Sequence, residues 1–375
     1  MKILVVGDYC PRNRVSKFIN TRDFESVFGD VKQLLNVMDY SIVNLECPLV
    51  YDNTKPIIKK GPALKCNING VDAIKWMGFS CVTLANNHFR DYGEEGVNAT
   101  IDYLDKHSID HVGGGRNITQ ASAVFYKDIK GKRIAIINCC EHEFNIATEE
   151  IAGSNPLNPL HQFYSIQEAR NNADFILVIV HGGHEHFQLP SERMVETYRF
   201  FVDAGADAVI NHHQHCYSGY EIYKEKPIFY GLGNFCFDRD GIRNSKWNEG
   251  IMVELDMSNN HVDFTIRPYY QCNDSPLIEL LSKDSFDEHI SQLNNIITHP
   301  EKLRQELKKY YSGNCSDYAN IFEPIDNRYY YGAKRRGWLP SLISKDRIIA
   351  ATNYICCESH RDKLEYWLLN KMEVR

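Results

Sequence analysis

The 375-residue sequence contains no apolar run long enough to cross a membrane. A membrane-spanning helix needs about 18 or more consecutive apolar residues, and no segment approaches that length. The start of the chain also lacks the pattern of a secretory signal, because its apolar run at residues 3–6 is short and ends in a charged turn. We therefore expect a cytoplasmic protein without a transmembrane segment.

The sequence also lacks an excess of basic residues and a regular cysteine framework. Lysine and arginine number 42 against 49 aspartate and glutamate residues, and the net charge of −7 argues against nucleic acid as the main partner. The twelve cysteines include no Cys-x-x-Cys motif, which favours a reduced chain with most thiols buried. An anionic substrate is still compatible with this charge, because a bound divalent cation would dominate the local field.

Apolar strands alternate with amphipathic helices over the first 240 residues. Strands are predicted at residues 3–6, 40–45, 80–84, 133–137, 175–180, 208–210 and 227–230. Apolar residues at helical spacing predict helices at about residues 27–38, 93–107 and 192–204. Strands that alternate with helices in this way predict an α/β fold.

Beyond about residue 257 the sequence pattern changes from alternating strands and helices to helices. Helices are predicted near residues 286–297, 300–311 and 348–355. An aromatic and basic segment at 328–338 lies between them, and it would either contact an acidic polymer or glycan or pack on the main domain. We predict a main domain at residues 1–260 and a mainly helical extension at 261–375 that packs on it.

Polar residues of the kind that bind metals follow the predicted strands. They are Asp8, Glu46, Asn87 with His88, His181, and the cluster His213-Gln214-His215. Six of the fifteen histidines fall between residues 181 and 215. In layered α/β folds ligands gather at the carboxyl ends of the strands, and imidazole is a common ligand of zinc, iron and manganese. The pattern therefore predicts a metal centre at this edge, with the carboxylates balancing the charge of the cations.

Several of these residues have alternative explanations. Asp8 alone would also suit a helix N-cap or a turn, whereas Glu46 caps nothing obvious. Glu185 would either orient a histidine ligand or lie at the surface, and Asn234 would either reach the site or form a turn. Gly113-Gly114-Gly115 lacks the context of a phosphate-binding loop and is expected to be a turn that lines the site.

A set of motifs appears in a specific order and spacing over about residues 1–255. The motifs are Gly7-Asp8, Asn44-Leu45-Glu46-Cys47-Pro48, Asn86-Asn87-His88, His181-Gly182-Gly183-His184-Glu185, Asn211-His212-His213-Gln214-His215 and Gly231-Leu232-Gly233-Asn234. In these motifs the chain resembles the CapA (PGA_cap) family, a branch of the calcineurin-like metallophosphoesterase superfamily. The resemblance implies a layered metallophosphoesterase-like α/β fold, a β-sandwich flanked by helices, with a helical C-terminal appendage.

The resemblance also implies roles for individual residues. Asp8 and His215 would hold one divalent ion, Asn87, His181 and His213 would hold a second, and Glu46 would bridge them. Glu46 and His88 are the expected catalytic residues, with His88 placed to donate a proton or to hold an oxyanion. Substrate-contacting or supporting positions are expected for Cys10, Asn86, His184, Glu185, His212 and Asn234. One or two ions of manganese, zinc or iron are the expected cofactors.

The chain departs from the superfamily at two of these positions. The superfamily begins with Asp-x-His, in which the histidine is a ligand, whereas this chain has Asp8-Tyr9-Cys10. Cys10 would be either a thiolate ligand or a small buried side chain, and in the second case the first ion has one ligand fewer. Glu46 stands where the superfamily has a bridging aspartate, and its extra methylene would alter the metal spacing.

These features together predict a metal-dependent, phosphatase-like hydrolase linked to capsule, exopolysaccharide or poly-γ-glutamate synthesis. Its substrate would be an anionic polymer, a phosphorylated compound or a γ-glutamyl compound, attacked by a metal-activated water. Amide hydrolysis by the same water is a further option. The alternative from a different class is a non-catalytic component that binds an anionic polymer or a partner through the same fold.

Overall fold

The computed structural model describes residues 1–51, 53–258, 261–314, 329, 333, 336–338 and 344–373. Most of the aromatic and basic segment at 328–338 lies outside these described residues, so the prediction about that segment is not tested.

The described residues form eighteen strands and eleven α-helices. The strands are β1 Lys2–Tyr9, β2 Tyr40–Leu45, β3 Leu49–Val50, β4 Cys66–Asn67, β5 Cys81–Thr83, β6 Asp110–Val112, β7 Gly114–Gly115, β8 Phe125–Ile129, β9 Lys132–Cys140, β10 Gly153–Ser154, β11 Phe175–His181, β12 Ala208–His212, β13 Tyr220–Tyr223, β14 Lys226–Phe229, β15 Asn234–Cys236, β16 Glu249–Ser258, β17 His261–Gln271 and β18 Ile278–Leu280. The helices are α1 Arg14–Thr21, α2 Glu25–Leu35, α3 Gly70–Met77, α4 Gly93–Lys106, α5 Ile118–Ala121, α6 Pro159–Asn172, α7 Glu192–Ala204, α8 Asp287–Ile297, α9 Pro300–Asn314, α10 Lys345–Cys356 and α11 Glu358–Glu373.

Two large sheets form the centre of the fold. The first has the strand order β18-β17-β16-β1-β2-β5-β6, with β15 also paired to β1. The second has the order β13-β14-β12-β11-β9-β8. Strands β1, β2, β5 and β6 run parallel to one another, as do β9, β11, β12 and β14. Each sheet therefore has a block of parallel strands whose carboxyl ends share one edge.

Alternating side chains of β1 show how the layers stack. Ile3 and Val5 belong to the apolar cluster that includes strand β11 of the second sheet, whereas Leu4 and Val6 belong to the cluster that includes helices α1 to α4. Because successive side chains of a strand point to opposite faces, the first sheet packs on the second sheet with one face and on helices with the other. The predicted layered α/β fold, a sandwich of sheets flanked by helices, is confirmed.

Two of the strands that bear site residues are longer than their apolar patterns predict. Strand β1 continues through Asp8 because β15 pairs with this part of the chain, with Asp8 opposite Asn234. Strand β11 continues through His181, which is in register with Cys140 and His212 on its two neighbours. Polar residues can occupy these strand ends because tertiary pairing supplies their backbone hydrogen bonds.

The first sheet continues beyond residue 260. Strands β16 and β17 form a long antiparallel hairpin across this position, and β18 pairs with β17. Helices α8 and α9 follow, and their apolar residues, such as Leu293 and Leu307, join the cluster between and around the sheets. The division into a main domain and an extension stays a prediction, although the helical part of the extension starts only at Asp287.

Helices α10 and α11 dock on the main body through polar contacts and through Tyr366 and Trp367 of α11, which pack against the apolar core. Arg193 on α7 binds Asp362 at 3.0 Å and Glu141 at 2.7 Å. Glu358 accepts a hydrogen bond from the backbone nitrogen of His142 at 2.8 Å and shares a 2.6 Å contact with its Nδ1. These contacts bring the last two helices to the loop that follows β9.

None of the helices in the described part of the chain combines the length and the apolar character that a membrane span requires.

The glycine at position 7 provides a test of how tightly β1 is held. A Cβ atom at Gly7 would lie 1.9 Å from the carbonyl oxygen of Gly233, which is backbone and cannot rotate away. We expect Gly7→Ala to reduce the free energy of unfolding by about 3 kcal/mol or more, because overpacking here would separate β1 from β15. Gly313→Ala is the matched control, since its Cβ would meet nothing within 4 Å, and it should change stability by less than about 1 kcal/mol. Denaturant unfolding of both variants measures this, and equal effects would contradict the expectation.

Candidate metal centre

The carboxyl ends of the two parallel blocks meet, and the predicted ligands converge there. Asp8 lies near the end of β1, Glu46 directly follows β2, and His181 ends β11. His213 and His215 lie in the turn after β12. All five side chains are buried.

One group of donor atoms surrounds Nε2 of His181. The Asn87 Oδ1 atom is 3.0 Å away, Nδ1 of His213 is 3.1 Å away, and Oε1 of Glu46 is 3.5 Å away. The donor atoms of Glu46, His181 and His213 all lie within 4.8 Å of one another. Nitrogen and oxygen donors at these spacings suit a divalent transition metal.

A second group shares Glu46 with the first. Nδ1 of His215 is 3.5 Å from Oδ2 of Asp8, and Nε2 of His215 is 3.6 Å from Oε1 of Glu46. The His215 Nδ1 atom also lies 2.9 Å from the carbonyl oxygen of the Asn234 side chain, an acceptor. Nδ1 therefore carries the proton, which leaves the lone pair on Nε2, next to Glu46.

The carboxylate of Glu46 lies at the junction of the two groups. It is fully buried, and neither of its oxygens accepts a hydrogen bond from any residue that the structure describes. Burial raises the pKa of this carboxyl well above its usual range, and the neighbouring Asp8 carboxylate raises it further. Buried acceptors without partners are costly, and two cations flanking Glu46 would supply the missing interactions. The residues at this centre thus fit divalent metal ions.

Two histidines of the first group stay neutral, as metal ligands must. Burial and the neighbouring His213 lower the pKa of His181 well below its usual value. Burial lowers the pKa of His213 to about 4. For Asp8, burial would raise the pKa, but contact with His215 and the nearby His181 hold it below its ordinary value. Near neutral pH the first group therefore presents neutral imidazoles, and Asp8 is ionised. For His215, burial would lower the pKa, but contact with the Asp8 carboxylate raises it above its usual value.

A network around Asn44 holds the two central ligands. The Asn44 side-chain nitrogen donates to Oδ1 of Asp8 at 2.7 Å and lies 3.3 Å from Nδ1 of His181. Its oxygen accepts from Thr83 at 3.2 Å and from Asn86 at 3.3 Å, which fixes the orientation of the amide. The motif containing Asn44 is visible in the sequence, but this supporting role depends on the packing of three strands.

Asn86 also shapes the turn that carries Asn87 and His88. Its side-chain nitrogen donates to the Leu45 carbonyl at 2.8 Å, and its oxygen accepts from the His88 backbone nitrogen at 3.1 Å. Asn145 donates to the Asn86 carbonyl at 2.8 Å from the other side. The turn is therefore tied to both β2 and the loop after β9.

His88 forms a buried pair with Asp91. Nδ1 of His88 lies 2.6 Å from Oδ2 of Asp91, so Nδ1 carries the proton and Nε2 is the remaining nitrogen. Lys59 forms an ion pair with the same aspartate and lies 3.3 Å from Nδ1 of His88. Burial lowers the pKa of His88, and the positive charge of Lys59 lowers it further. No local sequence pattern points to Lys59, whereas Asp91 closely follows the motif that contains His88.

The turn after β12 has an unusual backbone. His213 has a φ of 93° and His215 a φ of 56°, both in the region that favours glycine. Such conformations cost about 1–3 kcal/mol each and persist only where the surroundings hold them. Between them, Gln214 donates to the backbone carbonyl oxygens of Phe187 at 3.0 Å and Leu189 at 3.2 Å. Strain is therefore concentrated at the two histidines that contribute to the two donor groups.

Three of the predicted supporting residues, namely His184, His212 and Cys10, lie outside both donor groups as far as the structure describes the chain. Nε2 of His184 lies 3.0 Å from the hydroxyl of Tyr311, so His184 contacts helix α9. Nε2 of His212 lies 3.0 Å from the carbonyl oxygen of Val6 and links the two sheets. Cys10 is buried in the apolar cluster under the first sheet, outside the converging groups.

A cavity of about 570 Å³ opens above the centre. Its wall includes Asn87, His88 and His215 of the centre, together with Glu185, which is about half exposed. Positively charged residues also line it, namely Arg12, Lys59, Lys60 and Arg239. Glu143 and His360 line the side formed by the loop after β9 and by helix α11. The sequence does not identify Arg12, Lys59, Lys60, Arg239, Glu143 and His360 as cavity residues, because no local pattern relates them to the predicted ligands.

Solved structures with a similar arrangement include two from Thermus thermophilus. A hypothetical protein matches with a TM-score of 0.46 and 14% identity, over 72% of this chain and 98% of that one. A 5'-nucleotidase precursor matches with a TM-score of 0.43 and 10% identity, over 78% of this chain and 57% of that one. These similarities concern the fold alone.

Two relatives carry names from capsule and polymer synthesis. The capsule biosynthesis protein CapA of Bacillus anthracis is 32% identical over 268 residues, which are 69% of this chain and 64% of that protein. The PGA biosynthesis protein CapA of Bacillus subtilis (strain 168) is 28% identical over 320 residues, which are 80% of this chain and 83% of that protein. The chain thus spans slightly less than two thirds of the B. anthracis protein.

The model of the bacterial capsule synthesis protein family PGA_cap matches residues 2–239, which include every residue of the two donor groups. This match extends over more than half of the sequence. The chain belongs to the PGA_cap family of bacterial capsule synthesis proteins.

Proposed function

We propose that this protein is a metal-dependent hydrolase of the phosphoesterase type that acts in the synthesis of a capsule-like anionic polymer. The observation that carries the proposal is Glu46, a fully buried carboxylate without a hydrogen-bond partner among the described residues, shared by two groups of ligand atoms. A site of this kind is costly in the folded protein unless cations bind to it. Membership of a capsule synthesis family supports the pathway but does not identify the reaction.

Two divalent ions of manganese, zinc or iron would be held in this proposal. Asp8 and His215 would bind the first, Asn87, His181 and His213 the second, and Glu46 both. When bound, such ions polarise a phosphoryl or carbonyl oxygen and bring the pKa of water towards neutrality. Asn44 and Asn234 would keep Asp8 and His215 in orientations that suit binding.

His88 would handle the proton at the leaving group. Its Nδ1 is committed to Asp91, which leaves Nε2 for the cavity. Burial and Lys59 favour the neutral ring in the free protein, so the proton would be acquired as an anionic substrate binds nearby and raises the pKa. The same nitrogen would then donate to the departing oxygen, or to nitrogen in an amide substrate.

The cavity would accept a segment of an anionic polymer. Its wall carries Arg12, Lys60 and Arg239 beside the acidic Glu143, Glu185, Asp238 and Asp240, so cations bound at the centre would supply the attraction for an anionic group. The volume of about 570 Å³ would take a segment rather than a whole chain. A phosphorylated or γ-glutamyl segment combines negative charge with the kind of bond that the centre would hydrolyse. These residues would hold the flanking charges while the bond to be cleaved lies at the metals.

A non-catalytic role is the second candidate, and the position of Cys10 favours it. Among the described residues, Cys10 lies outside both donor groups. The donor group that contains Asp8 and His215 therefore lacks the histidine ligand of the superfamily, and Cys10 does not take its place. A protein of this kind would use the same cavity to bind the anionic polymer without hydrolysis. It would hold at most one metal ion at this centre and would release no product.

Hydrolysis of an aryl phosphate by the manganese- or zinc-loaded protein tests the first candidate. We expect His88→Ala to lower kcat by about 10²–10⁴-fold through loss of acid catalysis. Glu46→Gln should abolish turnover and lower the metal content, because it removes the shared carboxylate. His261→Ala is the matched control, since His261 is an exposed residue of β17 whose Nε2 contacts Asp263 at 3.1 Å. Activity that survives both site changes, or a wild-type protein that takes up no transition metal, would contradict the proposal.

Metal affinity provides a test that does not require a substrate. Asn44→Ala should weaken binding by about 10–100-fold, because residues that orient ligands typically have effects of this size. Asn248→Ala is the control, since Asn248 is also buried but donates to backbone carbonyls of Gln271 and Cys272. Titration calorimetry with Mn²⁺ measures both variants. An equal loss of affinity in the two would mean that Asn44 acts only through stability.

A further inference from the structure

A second cluster of metal-binding side chains lies outside the centre described above. It consists of Glu143, Cys357 and His360, whose donor atoms all lie within 4.8 Å of one another. Glu143 belongs to the loop after β9, Cys357 lies between α10 and α11, and His360 is in the first turn of α11. More than 210 positions of sequence separate the first residue from the other two, so the cluster exists only in the folded chain.

The donor types of this cluster select a particular class of ion. A thiolate, an imidazole and a carboxylate are the ligands that proteins use for Zn²⁺, with bond lengths of about 2.0–2.3 Å. Tetrahedral geometry at those lengths places ligand atoms roughly 3.6 Å apart. The donors, which lie within 4.8 Å of one another, would therefore approach by at most about 1 Å on binding. Hard ions such as Mg²⁺ would not favour the thiolate.

Contacts on either side of the cluster hold its two halves opposite each other. Glu358, next to Cys357, binds both the backbone nitrogen and the ring of His142, next to Glu143. The backbone nitrogen of Ser359 donates to Glu141 at 3.3 Å. Three consecutive residues of the loop therefore face three consecutive residues of the helix start. This pairing keeps the donors close before any ion binds.

The cluster borders the cavity of the metal centre. Glu143 and His360 line that cavity, whereas Cys357 is buried behind them. Asn87 connects the two places, since its side-chain nitrogen donates to Oε1 of Glu143 at 3.2 Å. Because two of its three ligands line the cavity, an ion held here would be accessible to a group in the cavity, and zinc sites with three protein ligands accept such an external fourth ligand.

We propose that Glu143, Cys357 and His360 bind one Zn²⁺ ion, which fastens helices α10 and α11 to the main body and offers a coordination position to an anionic group in the cavity. The site is separate from the proposed hydrolytic centre, because none of its three ligands belongs to that centre. A metal-loaded protein that hydrolyses nothing therefore leaves this proposal standing, whereas a protein that takes up no transition metal would contradict both proposals.

Cobalt substitution of the full chain tests the proposal through the thiolate. The chelator-treated protein is loaded with Co²⁺, and a sulfur-to-cobalt charge-transfer absorption in the near ultraviolet reports Cys357. We expect this absorption in the wild type and its loss in Cys357→Ser. Cys356→Ser is the matched control, because its thiol is exposed and adjacent in sequence, and it should retain the absorption. Cys10→Ser should also retain it, which separates this site from a thiolate at the main centre.

Metal counting provides the second measurement. After zinc loading and removal of the excess, Cys357→Ser and His360→Ala should hold one ion per chain fewer than Cys356→Ser. Glu143→Gln preserves the shape of the side chain and should weaken the binding of this ion at least tenfold. This variant replaces the other two in the test if they do not fold. Glu46→Gln should keep the thiolate absorption, since it alters the other centre. Absence of the absorption in the wild type, its survival in Cys357→Ser, or its loss in Cys10→Ser would each overturn the proposal.

Discussion

The feature on which the centre depends is the burial of two carboxylates where the carboxyl ends of both sheets meet. Asp8 is held by Asn44 and by contact with His215, but Glu46 has no hydrogen-bond donor in the described chain. Removing a carboxylate from water without compensation costs several kcal/mol, so this arrangement favours binding of a cation over remaining empty. The surrounding His181 and His213 are kept neutral by the same burial, so they add no competing positive charge at this edge of the sheets.

Rigid packing allows the chain to maintain this costly arrangement. Gly7 lets β1 approach the backbone of Gly233, directly before β15, so closely that no side chain fits there, and Asp8 is paired with Asn234. On the second sheet, the turn after β12 holds His213 and His215 with positive φ angles. The extensive apolar core on both faces of the sheets supplies the stability that offsets this local strain.

The C-terminal helices are attached in two different ways. Helices α8 and α9 bury leucine and isoleucine residues in the main core, so they are part of its hydrophobic stability. Helix α11 meets the body through ion pairs such as that of Arg193 with Asp362 and also through Tyr366 and Trp367, which pack against the core, and it brings His360 to the cavity wall. The ion-paired part of this attachment is more sensitive to salt and bound ions than an apolar contact.

The sequence by itself determined the alternation of strands and helices, since the apolar run at β11 and the helical spacing of α7 appear directly in the residue pattern. It also identified the polar residues at strand ends, because parallel strands place their carboxyl ends together. The continuation of β1 through Asp8, and of the first sheet through β17, was decided by pairing between distant segments. Only the tertiary structure brought Lys59 to His88, Asn44 to His181, and Glu143 to Cys357 and His360. The reason is physical: local patterns record which face of an element is buried, whereas contacts between side chains far apart in sequence depend on how the layers pack.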